Sequence, residues 1–126
     1  MLKIAICDDE KIFAEKIKEL LEVYLDSKHI AREINIYTSG IDFVALGENV
    51  MEYDIAFLDI DMKDMNGIQT ADKIRVYSQD IYIAFVTAYI NYAPEGYRCN
   101  AIRYILKIAI SWLHLYMNVW MQYLIR

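Results

Sequence analysis

The sequence is poor in residues that break or staple a chain: one proline, four glycines and two cysteines in 126 positions. Cys7 and Cys99 show no Cys-x-x-Cys spacing. The apolar run in the opening MLKIAICDDE is too short for a secretory leader, so two thiols read as a reducing, cytoplasmic setting. No cluster of Lys or Arg occurs, and the net charge is -5. Phosphate backbones need a basic patch, so direct nucleic-acid binding by this chain is excluded as an expectation. No repeat, linker or low-complexity tract interrupts the sequence, and its length suits one domain over residues 1–126 with a core of its own. The last absence is local. All 18 acidic residues lie at or before Glu95, which leaves the final 31 positions without one.

What is present alternates. LKIAIC is a short β-branched run that stops at Asp8, Asp9 and Glu10, as a buried strand would. Phe13, Ile17, Leu20 or Leu21, and Tyr24 then recur at helical spacing. REINIYT reads as a second strand, and SGIDFVALGEN as a short helix capped by Ser39. YDIAFLDI is a third strand, followed by a helix in NGIQTADKIRVYS with Ile68, Ala71, Ile74 and Arg75 in phase. IYIAFVTA is a fourth strand, INYAPEGYRCN is irregular or a short helix, and AIRYILK is a fifth strand. Residues 108–126 then read as the last helix. Five strands alternating with helices predict an α/β fold: a parallel sheet with helices on both faces.

Ligands of such sheets gather at the carboxyl ends of the strands, near the point where strand order reverses. In this sequence Asp8 and Asp9 end the first strand, Asp59 the third with Asp61 beyond it, Thr87 the fourth and Lys107 the fifth. Carboxylates crowded at one edge repel each other, so they bind a cation or shift their pKa values. An all-oxygen site with room for water suits Mg²⁺. The remaining chemistry is that of phosphoryl transfer: a carboxylate nucleophile, an ammonium to pair with phosphoryl oxygens, and a hydroxyl to hydrogen-bond one of them.

With CDDE, FLDIDMKDMNG, FVTA and YILK in this order, the sequence resembles response-regulator receiver domains of two-component signalling over essentially residues 1–107. The resemblance implies a flavodoxin-like, doubly wound five-stranded parallel sheet. It implies Asp59 as phospho-acceptor, with Asp8, Asp9, Asp59 and the backbone carbonyl of Asp61 around Mg²⁺. Thr87 and Lys107 would hold the phosphoryl group, and Tyr104 would be the aromatic that switches position with Thr87. The implied donor is a sensor histidine kinase. The implied role is signal reception without enzyme turnover beyond slow self-dephosphorylation. EGYRCNAIRYILK further resembles receivers attached to LytTR-type DNA-binding domains, which makes the expected output transcription through a domain this chain does not contain.

Two rival readings stand beside this one. FLDIDM also resembles the nucleophile loop of haloacid-dehalogenase-type phosphatases, but there the Asp-x-Asp follows the first strand of the core, and here it follows the third. A phosphorylation-impaired receiver acting only as a dimerisation or interaction module is the other. His29, His114 and Cys7 carry no ligand pattern and read as structural or exposed.

Departures from the family pattern cluster late in the chain. Lys63 and Ile108 stand where these domains usually have proline. The first implies a looser loop after Asp59, and the second an altered turn after Lys107. In residues 108–126 the polar positions Ser111, His114, Asn118, Gln122 and Arg126 form a narrow helical stripe beside a wide apolar face. A membrane span is disfavoured by that stripe. The expected partner of the apolar face is a second copy, in a homodimer through strand five and this helix. A genetic reading also exists. Trp and Met have single codons, and a one-base shift across Met117–Gln122 forces Glu, Asp and Ala at three positions. The shifted frame can spell an acidic amphipathic helix, and the DNA around codon 107 decides between the two.

Overall fold

The computed structural model describes residues 1–88, 100–101 and 103–124, with the side chains of the last two left aside. Cys99, Pro94, Arg126 and the INYAPEGYRCN segment up to Cys99 lie outside the described residues.

The strands fall where the sequence predicts them. They are β1 (Leu2–Cys7), β2 (Arg32–Tyr37), β3 (Ile55–Leu58), β4 (Tyr82–Thr87) and β5 (Arg103–Leu106). All neighbours pair in parallel in the order β2-β1-β3-β4-β5. The chain moves outward in one direction from β1 to β2 and then in the other from β1 to β5. The order therefore reverses beside β1 and β3, and this is where a doubly wound sheet opens a crevice. Every residue of β3 is buried, as expected for a central strand covered on both faces.

Four helices cover the sheet among the described residues: α1 (Lys11–Ser27), α2 (Gly40–Val44), α3 (Gly67–Tyr77) and α4 (Leu113–Leu124). The sheet's pleat sends alternate side chains to opposite faces, which separates two cores. On one face Ile4, Ile6, Ile55, Phe57 and Ile105 meet Ile17 and Leu21 of α1 and Met117 and Trp120 of α4. On the other, Ala5, Ala56, Leu58, Ile83 and Phe85 meet Phe43 of α2 and Ile68, Ala71 and Ile74 of α3.

Two helices differ from the sequence-based expectation. SGIDFVALGEN is not one helix. The Ser39 hydroxyl does cap α2 by accepting from the Asp42 N–H, at 3.0 Å. However, Gly47 takes φ +61, a left-handed turn that ends the α-helical run, and a 3₁₀ segment Gly47–Glu52 follows. Residues 108–126 are not one helix either. A 3₁₀ segment, Lys107–Trp112, precedes α4. The tighter winding turns Ile110 inward with Leu113, while Ile108 is 91 % exposed.

The apolar tail packs as a sheet-covering helix. Ile110, Leu113, Met117, Trp120 and Met121 are buried, and the Trp120 ring lies 5.9 Å from that of Phe57. The polar stripe predicted from sequence faces outward at Ser111, His114, Asn118 and Gln122, where Asn118 accepts from the Tyr24 hydroxyl at 2.7 Å. No helix among the described residues is long and apolar enough to cross a membrane.

Candidate functional site

The site begins with how β1 and β3 end. Both strands are fully buried at their carboxyl ends, so the first polar residue after each emerges from the core with its backbone already fixed. The Asp59 N–H donates to the Cys7 carbonyl at 2.9 Å, locking the two strand ends together. Asp8 and Asp59 are thereby held side by side, at 1 % and 3 % exposure. The Cys7 thiol beneath them is pushed up in pKa by burial and then by the Asp8 charge, and it belongs to the core.

Lys107 closes the cluster from the end of β5. Its Nζ lies 3.2 Å from Asp8 Oδ2, 3.2 Å from Asp59 Oδ2 and 2.8 Å from Glu10 Oε1. The Phe13 ring sits below it, with its centroid 4.6 Å from Nζ. No peptide bond among the described residues is cis, so Lys107 reaches this position with a trans bond to Ile108.

Charge in this crevice is costly, and the pKa values follow. Burial, then the Asp8 charge, pushes Asp59 up to about 7 against the pull of Lys107. Burial likewise raises Asp8, although the Glu10 N–H at 2.9 Å and Lys107 oppose it. Burial alone would lower the Lys107 ammonium, but Glu10, Asp59 and Asp8 together outweigh it and hold it above its ordinary value. Glu10, at the mouth, is lowered by its hydrogen bond and charge pairing with Lys107.

The donor set fits a hard divalent cation. Asp8, Glu10 and Asp59 each present an oxygen, and the three lie within 4.8 Å of one another. Asp8 Oδ2 is buried and receives no aligned hydrogen bond; its contact with Lys107 is an ion pair only. A buried carboxylate oxygen in that state is what a cation satisfies. Asp9 and Asp61 stand at the rim. They line a cavity of about 380 Å³ with Glu10, Met62 and Lys63. The Asp61 N–H approaches Asp59 Oδ1 at 3.4 Å.

The rest of the predicted set divides. Thr87 ends β4 at the same edge and is fully buried. Tyr104 lies half-buried on β5 with its ring 5.1 Å from Phe85, against the core shared with α2 and α3. Lys63 does not leave its loop untethered. Its backbone N–H donates to Asp9 Oδ2 at 3.3 Å, a bond that proline has no hydrogen to make.

Sequence reasoning passed over two residues. Glu10 contributes both a backbone donor to Asp8 and the shortest contact to Lys107. Its signal was the third acid of CDDE. Gly67 has no room for a side chain, because a Cβ there would stand 2.2 Å from the Asp59 carbonyl oxygen. The Gly67 N–H bonds the Ile60 carbonyl, and Asn66 and Gln69 cap α3 reciprocally, so the loop from Asp59 to α3 is pinned at both ends. Its signal was the Asn-Gly pair.

A doubly wound sheet with three carboxylates, Asp8, Glu10 and Asp59, and the Lys107 ammonium converging at its switch point has the architecture of a signal-receiver domain. Residues 4–113 match the response regulator receiver domain family, and the chain belongs to that family. Among curated proteins it is similar to the sensory transduction protein LytT of Bacillus cereus, 33% identical over 109 residues covering 85% of this chain and 42% of that protein. It is also similar to the transcriptional regulatory protein LytR of Staphylococcus aureus, 34% identical over 115 residues covering 84% of this chain and 41% of that one. The chain thus spans about two fifths of the length of these relatives. Among solved structures, a CheY-like receiver domain protein from Methanospirillum hungatei superposes with a TM-score of 0.82 at 21% identity, covering 98% of this chain and 96% of that one. The response regulatory domain of mrkE from Klebsiella pneumoniae gives 0.74 at 26% identity, covering 96% and 99%.

Proposed function

We propose that this chain is the phospho-acceptor domain of a two-component response regulator and that Asp59 is the residue phosphorylated. One observation carries the reading: Asp59 is buried at the switch point with Lys107 Nζ 3.2 Å from its carboxylate and Asp8 beside it. In the reaction an Asp59 oxygen attacks the phosphorus of a phosphohistidine on the kinase. A P–O bond forms, the P–N bond breaks, and the histidine nitrogen leaves. Lys107 pairs with the phosphoryl oxygens and the Thr87 hydroxyl hydrogen-bonds one of them. Asp8, Asp9 and Asp59, with the carbonyl of Asp61, would hold Mg²⁺, which when bound neutralises the carboxylates and the incoming phosphoryl charge. The protein is an acceptor in this scheme, with at most slow self-hydrolysis.

Thr87 and Tyr104 lie on β4 and β5, so a change at Asp59 reaches the β5 edge through them. That edge is where we place a homodimer contact. β5 is the outer strand of the sheet, and Ile108, Trp112, Leu115 and Val119 stand exposed along the segment that follows it. Trp112, Leu115 and Val119, spaced three and four, make one apolar stripe at the start of the last helix, and Ile108 is exposed nearer the edge strand. Similarity to LytT and LytR regulators supports a cytoplasmic role, with transcription controlled through a LytTR-type domain of the whole protein.

The test is intact mass after incubation with acetyl phosphate and Mg²⁺. The wild type is expected to gain one phosphoryl group and Asp59→Asn none. Equal adducts on both would remove Asp59 from its role. No adduct on either would favour a phosphorylation-impaired interaction module built on the apolar stripe.

A further inference from the structure

Lys107 has a partner that phosphoryl transfer does not require. Glu10 lies at the mouth of the site with its side chain 69% exposed, yet it makes the shortest of the three carboxylate contacts to Nζ, 2.8 Å against 3.2 Å and 3.2 Å. Phe13, one helical turn into α1, places its ring face within 4.6 Å of the same ammonium. Glu10 and Phe13 together form an outer berth. Asp8 and Asp59 form the inner one, and the ammonium now bridges both.

We infer that Glu10 is a positioning residue, which acts through Lys107 to let the ammonium exchange places with the divalent cation. The inference rests on the phospho-acceptor reading above. The ammonium offsets carboxylate charge at Asp8 and Asp59, which are buried and 3.2 Å from Nζ. A divalent cation entering between them repels the ammonium at a few ångströms. Without Glu10, Lys107 would have to give up its carboxylate contacts entirely or remain on Asp8 and Asp59 as a competitor. With Glu10 and Phe13 it gives up only the inner contacts and stays at the mouth. The same residue keeps Asp8 aimed into the site, because the Glu10 N–H donates to Asp8 Oδ1 at 2.9 Å whatever its side chain does. Replacing the side chain therefore leaves the Asp8 geometry standing.

The experiment is a double-mutant cycle read by Mg²⁺ binding in a calorimetric titration, using wild type, Glu10→Gln, Lys107→Met and the double variant. Glu10→Gln alone is expected to weaken Mg²⁺ binding by roughly threefold to tenfold, in the lower part of the range of couplings between contacting side chains. In the Lys107→Met background the same substitution is expected to change the affinity by less than about twofold. A second readout is the Lys107 ammonium signal in proton–nitrogen spectra, which should persist on Mg²⁺ addition in the wild type and vanish in Glu10→Gln. An unchanged affinity in Glu10→Gln overturns the inference. An equal loss in both backgrounds also overturns it, since Glu10 would then act on the metal directly. A wild type that takes up no Mg²⁺ overturns the parent reading and this one with it, an outcome distinct from the other two.

Discussion

At the carboxyl edge of the sheet, Asp8 and Asp59 are almost wholly shut away from water, whereas beyond β5 the side chains of Ile108, Trp112, Leu115 and Val119 stand in it. One region buries charge and the other exposes hydrocarbon. At the edge, the strand ends fix the backbone first, and the carboxylates accept a raised pKa and an ammonium as neighbour. In the tail, five inward positions seat the helix and the outward positions are left to other demands. Burial is thus imposed by function in one place and by packing in the other. Stability should respond in opposite ways when each is relieved.

The largest expected effect lies on the inner side of α4. Trp120→Ala removes a ring packed on Phe57 and Tyr116, and should cost about 3–5 kcal/mol in urea unfolding. Next is Gly67→Ala. The added Cβ would meet backbone at Asp59 and Ile60, at 2.2 Å and 2.8 Å, and neither atom belongs to a flexible side chain. A loss of about 3 kcal/mol is expected by the same measurement, with slower phosphorylation because the acceptor loop must shift.

Asp59→Asn should go the other way. In the metal-free fold Asp59 keeps its proton up to about pH 7, while in the unfolded chain it releases it near 4, the ordinary value. The fold therefore binds more protons than the unfolded chain between those values. Its stability is fully present below pH 4 and declines as pH rises through about 7. Asn has no proton to lose. Thermal melts in chelator should show the variant more stable by about 1–2 kcal/mol at pH 8, with the gap closing by pH 4. Adding Mg²⁺ should stabilise the wild type and leave the variant nearly unmoved. The smallest effect is at Trp112, 58% exposed on the outer stripe. Trp112→Glu should change stability by no more than about 0.5 kcal/mol. It should also shift sedimentation toward monomer if the stripe joins two copies.

β1, β3 and β4 were legible as apolar runs that meet a polar residue, the pattern burial on both faces dictates, whereas the partly exposed β2 and β5 mix polar and apolar positions. Asp8 and Asp59 were legible for the same reason, as the first polar side chains after buried strands, and Lys107 as the residue that follows the partly exposed β5. Glu10 was not, because its partner is 97 positions away and its own exposure looks like an ordinary surface charge. The break after Val44 was hidden as well, since only the left-handed turn at Gly47 distinguishes it from a continuing helix. The tail's polar stripe was visible in the spacing of Ser111, His114, Asn118 and Gln122. Which part of its broad apolar face turns inward was not, because the 3₁₀ segment after Lys107 sets that phase.

The seating of α4 has a consequence for how much the segment's spelling matters. The surface formed by α1 and the sheet chiefly interrogates Ile110, Leu113, Met117, Trp120 and Met121, with Tyr116 packed beside them and Asn118 bonded to Tyr24. Most of the other letters in residues 108–122 are therefore redundant for folding, as check digits are redundant to a reader who needs only the name. A quite different text, including one written in another reading frame of the same DNA, would be accepted by this surface if it kept hydrocarbon at those few positions.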